Sequence, residues 1–282
     1  MSLHAAVSAR DALDGARTAI AAGGSGSARL DAELLLADAL GVTRERVLID
    51  RELVVSGAAV RRFQSHVRRR AVDREPVAYI VGRRAFRGLE LTVDARVLIP
   101  RPETELLVEV GYELGHAERV LDCCTGAGAV ALALKDERGD LSVTGSDVSD
   151  AALAVARANG ERLGLDVAWR RGDLLDGLGG GFDAILANPP YIPTSVIATL
   201  EPEVSRHEPG LALDGGDDGL AVIRALATQA ARTEVRLLAI EHGGDGQAEA
   251  VARLCEEAGF SSVERRRDLA GHERVIVARR AS

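Results

Sequence analysis

The chain has 282 residues and a formal net charge of −8, with 46% hydrophobic and 28% charged residues. This composition is typical of a globular protein of about two domains, and the acidic balance weighs against a protein that binds nucleic acid with its whole surface. Because there is no long apolar run, no secretory signal and no disulfide or zinc spacing among three cysteines, we expect a cytoplasmic protein without a metal.

The first part of the chain, residues 1–75, is predicted to be a small helical domain. Leu and Ala recur at helical spacing from Ala28 to Leu40, and Gly41 is expected to end that helix. Thr43 is a candidate N-cap for a short helix that follows.

A further helix is predicted from Ser56 to Val72, with an apolar side and a basic side. We interpret the basic side as a solvated face, and docking of an acidic or nucleic-acid-bearing partner is the alternative. The apolar positions are Val60, Phe63, Val67 and Val72, and the basic positions are Arg61, Arg62, Arg68, Arg69 and Arg70.

Residues 76–100 are predicted to link this domain to the rest of the chain. The segment Pro76–Gly82 breaks the helical pattern. Residues 85–93 are then predicted to form a β-hairpin whose turn lies near Arg87 and Gly88.

Residues 101–282 are predicted to form an α/β domain. Its first helix is expected to begin at Pro102, whose fixed φ suits a first helical turn, and to end at Gly115. Strand and helix patterns then alternate, which indicates a mainly parallel sheet with helices on both faces. The predicted strands cover 119–123, 141–146, 167–171, 182–186 and 236–241, the helices cover 127–137, 149–163, 218–231 and 246–258, and 262–267 with 274–278 form an antiparallel edge.

A stiff turn after the fourth predicted strand carries a candidate functional residue, Asn188. Ligands of open α/β sheets bind at the carboxyl ends of strands, and the two following prolines fix the backbone of the turn. The Asn188 amide offers one acceptor and two donors, and the carbonyls of Pro189 and Pro190 have no N–H of their own to compete. With Tyr191 adding a flat face, the turn predicts binding of a planar group that carries an NH2, either a side-chain amide or a base amine.

A glycine-rich loop after the first predicted strand is the candidate cofactor site. Glycine lets a ligand approach the backbone closely, and Asp147, which lies 19 residues after Gly128, could accept hydrogen bonds from both hydroxyls of a ribose. Asp173 could meet an adenine amine while Leu174 covers its ring. An acidic Asp122 favours S-adenosylmethionine over a dinucleotide, because it would repel a pyrophosphate and suits an ammonium group. The predicted cofactor-binding residues are Asp122, Cys124, Thr125, Gly126, Ala127, Gly128, Asp147, Asp173, Leu174 and Asn188.

These motifs resemble the glutamine methyltransferases that modify class I peptide-chain release factors, over nearly the whole chain. Asn188–Tyr191 matches the family's substrate motif, and the segment from Leu98 to Glu105 (Leu-Ile-Pro-Arg-Pro-Glu-Thr-Glu) is more specific to the family. Cys124 departs from the family pattern, which usually has glycine there, and its Cβ could crowd a positive φ. Further matches are Pro76–Ile80 with Gly82 and Phe86, Glu208–Pro209 with Ala212–Leu213, Gly215–Gly216 and Asp218–Leu220, Glu241–Gly243 with Gln247, and Asp268–Gly271 with Arg274.

The resemblance implies a Rossmann-like class I S-adenosylmethionine-dependent methyltransferase domain, with the helical N-terminal domain helping to dock a release factor. The implied reaction methylates the side-chain amide nitrogen of the Gln in a Gly-Gly-Gln motif and leaves S-adenosylhomocysteine. It implies that the Asn188 and Pro189 carbonyls accept the two amide N–H groups and that Tyr191 packs beside the amide plane. Arg101 and Glu103, which lie in the segment from Leu98 to Glu105, are also assigned to the substrate site.

Two other functions stay open at this stage. A nucleic-acid adenine or amine methyltransferase would use the same turn for a flipped-out base, but only the Arg-rich helix favours it, and the charge and the 3% aromatic content oppose it. A non-catalytic module that binds S-adenosylmethionine has only Cys124 in its favour. Cys124 could also be a reactive thiol, although we interpret it as a small residue beside a ligand. We therefore expect a protein substrate, without a membrane or a direct nucleic-acid substrate.

Overall fold

The computed structural model describes residues 6–281, which divide into two compact units. The first unit contains the described residues up to Gly82 together with Glu201–His207, and the second contains Arg83–Leu200 and the described residues from Glu208 onward. The described helices are all too short or too polar to cross a bilayer. The three-part division predicted from the sequence, at residues 75 and 100, stays a proposal.

The first unit is helical, as the sequence predicts for this part of the chain. The helix Ala28–Leu40 has the predicted bounds, and Gly41 ends it in the left-handed region with φ 66°. Thr43 caps the next helix, since its side chain accepts a hydrogen bond from the Arg46 N–H. The elements, numbered in chain order, are β1 (Val7–Ser8), α1 (Ala9–Ala22), α2 (Ala28–Leu40), α3 (Arg44–Ile49), β2 (Val54–Val55), α4 (Gly57–Ala71), α5 (Val77–Val81) and α10 (Pro202–Ser205).

Two predictions about where the helices of this unit begin and end are wrong. The sequence predicts that Pro76–Gly82 breaks the helical pattern, but Val77–Val81 forms the short helix α5. Pro76 is tolerated just before a helix, and Gly82 ends it at φ 74°. Val72 was placed on the apolar side of α4, but the helix ends one residue earlier and Val72 is 67% exposed.

The basic side of α4 is not uniformly solvated. Arg70 is 5% exposed. Its guanidinium donates to Asp31 at 2.6 Å and also to Glu203. The interpretation as a solvated face is therefore wrong for Arg70, which is a buried link between α2, α4 and α10 within this unit.

The second unit is built on a seven-stranded sheet in the order β10-β11-β9-β8-β5-β6-β7. The five strands from β9 to β7 are parallel, and β10 and β11 form an antiparallel edge, as predicted. The strands are β3 (Arg83–Phe86), β4 (Leu89–Thr92), β5 (Arg119–Cys123), β6 (Ser142–Asp147), β7 (Ala168–Arg171), β8 (Ala184–Ala187), β9 (Leu237–Glu241), β10 (Ser262–Arg267) and β11 (Glu273–Arg279). The helices are α6 (Glu105–Gly111), α7 (Ala129–Glu137), α8 (Asp150–Leu163), α9 (Thr194–Ile197), α11 (Ala221–Ala230) and α12 (Asp245–Glu257). This architecture confirms the predicted Rossmann-like class I methyltransferase fold.

The helix predicted from Pro102 to Gly115 is shorter in the structure. It opens with a 3₁₀ turn over Pro102–Thr104, and α6 ends at Gly111. The next three residues form i→i+3 hydrogen bonds, so the last turn tightens and is no longer α-helical. The predicted hairpin is confirmed, because β3 pairs with β4 and Arg87 turns between them at φ 50°.

Both faces of the sheet are apolar and covered by helices. Successive residues of β5 alternate between the two cores, with Val120 in one and Leu121 in the other. Strands buried on both faces are nearly continuous hydrophobic runs, and β8 and β9 follow this pattern up to their last residues. The polar side chains at those strand ends therefore lie on a rigid support.

Candidate functional site

The carboxyl ends of the parallel strands carry the predicted functional residues at one edge of the sheet. A cavity opens there, as the topology of such sheets predicts. Residues predicted from the sequence make up much of its wall. They are Arg101, Asp122, Cys124, Thr125, Gly126, Ala127, Asp147, Asp173, Leu174, Asn188 and Pro190.

Four predicted site residues, Glu103, Gly128, Pro189 and Tyr191, are not among the described residues that line this cavity. Tyr191 points toward a neighbouring strand, where its hydroxyl donates to Glu241 Oε1 at 3.3 Å. The backbone conformation and the packing around Gly128 both require glycine. Its φ is +83°, and an added Cβ would lie 2.8 Å from the Trp169 ring. The structure thus explains Gly128 by packing.

Gly126 differs from Gly128 in a way that points to a ligand. Its φ is +55°, and no atom lies within 4 Å of an added Cβ. Its N–H donates to Asp147 Oδ2 at 3.0 Å, and the other carboxylate oxygen accepts from the Ser149 N–H at 2.9 Å. Burial raises the pKa of Asp147, and these backbone hydrogen bonds oppose the rise. Each Asp147 oxygen retains acceptor capacity beside its backbone donor.

The Asp122 side chain holds the glycine-rich loop in place through hydrogen bonds. It is 2% exposed, and its Oδ2 accepts hydrogen bonds from the Thr125 hydroxyl and from the Ala131 N–H. Burial raises its pKa to about 7, partly opposed by these hydrogen bonds. Asp122 therefore fastens the loop to the start of α7, and its pairing with a cofactor ammonium stays a prediction.

Cys124 stands where the family usually has glycine, and it adopts the left-handed backbone conformation that glycine favours. Its φ is +62°, in the region that favours glycine. Hydrogen bonding with Cys123 and burial raise the pKa of the Cys124 thiol well above its ordinary value. The thiol is therefore neutral at pH 7, which agrees with the interpretation as a small residue and argues against a reactive thiolate.

The Asn188 side chain belongs to a polar cluster that the sequence reasoning did not assemble. Its Nδ2 donates to Thr104 Oγ1 at 3.1 Å. Thr104 is 4% exposed and Glu241 is 1% exposed. Burial raises the pKa of Glu241 to about 7, and the nearby hydroxyls of Thr104 and Tyr191 oppose the rise. Thr104 and Glu241 lie within the family motifs Leu98–Glu105 and Glu241–Gly243. Only the strand register and the docking of the 3₁₀ turn place them beside Asn188.

Arg101 holds a wall of the cavity. Its Nη2 donates to Glu208 Oε1 at 2.6 Å, and Glu208 is 7% exposed. Burial raises the pKa of Glu208, and the Arg101 charge opposes the rise. The residues that follow, Pro209, Leu211 and Ala212, line the cavity. The ion pair therefore anchors the loop that closes this side.

The side chains that line the cavity fit S-adenosylmethionine. Carboxylates of Asp122, Asp147 and Asp173 surround the cavity together with apolar groups such as Leu174 and Val130. Acidic and apolar walls suit a cofactor that carries an ammonium, a sulfonium and an adenosine. Within residues 6–281, there is no cluster of His, Cys, Asp and Glu that could hold a metal ion.

The chain is similar to known protein families and to curated proteins over most of its length. Residues 11–82 match the family model described as PrmC N-terminal domain, and residues 102–200 match the methyltransferase small domain. A release factor glutamine methyltransferase from Caulobacter vibrioides is 43% identical over 256 residues, which cover 88% of each chain. One from Deinococcus radiodurans is 42% identical, over 96% of this chain and 98% of its own length.

A solved structure supports the fold alone. A methyltransferase from Pyrococcus furiosus superimposes with a TM-score of 0.54 at 18% identity, and the match covers 69% of this chain and 90% of that one.

Proposed function

The chain belongs to the release factor glutamine methyltransferase family, and from this we propose that it methylates the side-chain amide nitrogen of the Gln in the Gly-Gly-Gln motif of class I release factors. The observation that carries the proposal is the Asn188 side chain, which lines the cavity and has its Nδ2 held by Thr104. The amide oxygen is then the end that can accept a substrate N–H.

We propose that S-adenosylmethionine binds along the glycine loop and is released as S-adenosylhomocysteine. When bound, it supplies a methyl group on a sulfonium, a strongly activated electrophile. Gly126 would leave space for the cofactor, Asp147 would accept from its ribose hydroxyls, and Asp173 with Leu174 would contact its adenine. The exposed side chain of Asp173 and the buried side chain of Leu174 at the same cavity wall support this assignment. We propose that no metal takes part.

An amide nitrogen is a poor nucleophile, because its lone pair is delocalised into the carbonyl. The protein therefore contributes mainly by orientation, which can supply about 7–11 kcal/mol in favourable cases. The Asn188 Oδ1 and the Pro189 carbonyl would each accept one N–H of the substrate, which aims its nitrogen and stabilises positive charge developing on it. Pro189 is buried on its strand end, so its backbone is well fixed. We assign no general base, since the methylated nitrogen is acidic enough to lose its proton to water.

Tyr191, Arg101 and Glu103 would act around the substrate amide. Tyr191 would pack beside the amide plane, and its hydrogen bond to Glu241 fixes the ring. Arg101 anchors the loop that follows Glu208. The substrate assignment of Glu103 rests on the family motif alone.

We propose a protein substrate in the cytoplasm and no direct nucleic-acid substrate. The net charge of −8 supports this choice, and the burial of Arg70 removes one cation from the only basic helix face that favoured nucleic acid. We further propose that the N-terminal helical domain helps to dock the release factor.

The test compares acceptors. Tritiated S-adenosylmethionine is incubated with the enzyme and either a class I release factor, a structured RNA or an adenine-containing oligonucleotide. We expect label on the release factor alone, and Asn188→Ala should abolish transfer while calorimetric cofactor binding largely survives. Label on nucleic acid and none on the release factor would overturn the proposal.

A further inference from the structure

The two ends of the Asn188 amide have nearly the same shape but opposite chemistry. Its oxygen accepts hydrogen bonds and its nitrogen donates them. If the amide rotated by 180°, the NH2 group would face the substrate N–H groups and both partners would be donors. Something in the fold must therefore select one orientation.

Thr104 makes the first part of this selection. Its Oγ1 lies 3.1 Å from Asn188 Nδ2 and accepts from it. A hydroxyl can also donate, so Thr104 alone would satisfy either orientation of the amide. The direction of the Thr104 proton therefore decides the orientation of Asn188.

Glu241 makes the second part. The strand register pairs Ala187 with Ile240, so Asn188 and Glu241 emerge side by side from neighbouring parallel strands. Glu241 is 1% exposed. Its Oε1 accepts from the Tyr191 hydroxyl at 3.3 Å, and its buried Oε2 has no hydrogen-bond partner among the described residues. The charged groups that face it are Glu103 and Arg274. A carboxylate is acceptor-only, so Oε2 can accept from the nearby Thr104 hydroxyl, which already lowers the Glu241 pKa. Such a hydrogen bond turns the Thr104 proton away from Asn188.

We propose that Thr104 and Glu241 are positioning residues that hold the Asn188 amide with its oxygen toward the substrate. The Thr104 hydroxyl donates its hydrogen bond to Glu241, so toward Asn188 it can only accept, and only the Asn188 nitrogen can donate to it. Tyr191 is oriented by the same carboxylate. The catalytic part of this inference rests on the proposed function, whereas the orientation of the amide does not.

Nuclear magnetic resonance tests the orientation without any substrate. The sequence contains only two asparagines, Asn159 and Asn188, so selective ¹⁵N-asparagine labelling gives two side-chain NH2 signals. Asn159 is an internal control, because its amide bonds to Thr92 and Ala127 and makes no contact with Thr104. We expect Thr104→Val to shift the Asn188 NH2 signal, because the hydrogen bond to one of its protons is lost. Thr104→Ser should restore the wild-type signal. An unchanged Asn159 signal in both variants would show that they are folded.

Kinetics then tests the catalytic consequence. Thr104→Val should lower kcat by about 10- to 100-fold, with the KM for the release factor and the Kd for S-adenosylmethionine within about threefold of wild type, and Thr104→Ser should recover most of kcat. In Glu241→Gln, the amide has a single acceptor oxygen for the Thr104 and Tyr191 hydroxyls, so this variant should also lower kcat. The loss of kcat in the Thr104→Val, Glu241→Gln double variant should be smaller than the product of the losses in the two single variants.

The outcomes separate the two claims. An Asn188 signal that is the same in wild type and Thr104→Val would overturn the inference, and so would equal losses of kcat in the Val and Ser variants. If wild type transfers no methyl group to a release factor, the proposed function fails, and the resonance measurement still decides whether Thr104 orients Asn188.

Discussion

Asn188 directly follows β8 and Glu241 ends β9, and the parallel register of the two strands brings these residues side by side. The Asn188 Nδ2 donates to Thr104 Oγ1 at 3.1 Å. The arrangement places a buried carboxyl next to the residue assigned to grip the substrate. It also gives the site a polar support that no single motif in the sequence reveals.

The first prediction concerns the pH dependence of stability at Glu241. Folding raises its pKa from 4.5 to about 7, so the folded chain binds this proton more tightly than the unfolded chain does. The resulting stabilisation is present below the unfolded pKa and is lost as the pH rises through about 7. Glu241→Gln should therefore increase the free energy of unfolding at pH 8, by up to about 3 kcal/mol, and the gain should shrink toward zero at pH 4. Urea unfolding at both values measures it, and a gain that is larger at the acid value would contradict the assignment.

Turnover should change in the opposite direction, because the positioning role requires the Glu241 carboxylate. In wild type, kcat should rise with pH through the Glu241 titration near 7. Glu241→Gln should have a lower and flatter profile over the same range. The pH profiles of kcat for the two proteins, measured at saturating substrates, provide the comparison. Parallel profiles would show that another group controls the rise.

The second prediction contrasts two glycines of the same loop. Gly128→Ala should strongly destabilise the fold, because the new Cβ would lie 2.8 Å from the Trp169 ring. Gly126→Ala meets no atom within 4 Å, so its stability cost should be limited to the positive φ, about 1–2 kcal/mol. Its Cβ would occupy cofactor space, however, and S-adenosylmethionine should bind at least tenfold more weakly. Calorimetry with folded Gly126→Ala measures this, and unchanged affinity would exclude Gly126 from the cofactor site.

The third prediction concerns Cys124, whose φ is +62°. Glycine adopts this conformation without a steric penalty, whereas alanine retains the Cβ. Both substitutions remove the thiol, so the difference between them isolates the backbone. Cys124→Gly should be more stable than Cys124→Ala by about 1 kcal/mol. Equal unfolding free energies in denaturant would mean that the loop carries no strain at this position.

The fourth prediction concerns the buried cation of the helical unit. Arg70→Met leaves the buried Asp31 carboxylate without its cationic partner, whereas Glu203 keeps its ion pair with Arg74. Removing one partner of a buried ion pair costs about 3–5 kcal/mol. Arg62 lies on the same helix and is exposed, so Arg62→Met should change stability by less than about 0.5 kcal/mol. Thermal unfolding of the two variants makes the comparison, and similar losses in both would contradict a special role for Arg70.

Much of the sheet was predictable because its signals are local. Strand patterns flanked by turn residues predicted β5 and β10 with their observed bounds. The pairing of β10 with β11 follows from the short turn between them. The helix ends were less accurate where tertiary packing decides them. The helix over Glu105–Gly111 ended four residues before the glycine chosen to stop it.

The candidate site was only partly predictable for a different reason. The predicted strand ends located Asp147, which ends β6, and Asn188, which follows the apolar run of β8. The role of Thr104 depends on the register of β8 against β9 and on where a 3₁₀ turn docks, and neither is encoded by spacing. Arg70 was missed in the same way, because its partners lie 39 and 133 residues away in sequence.

The most direct test of the account is mass-spectrometric mapping of the methyl group on a purified class I release factor after incubation with the enzyme and S-adenosylmethionine. The account predicts a single added methyl on the side-chain amide of the Gly-Gly-Gln glutamine, and none when that glutamine is changed to alanine or when the enzyme carries Asn188→Ala. A methyl group on another residue, or the same modification with Asn188→Ala, would contradict it.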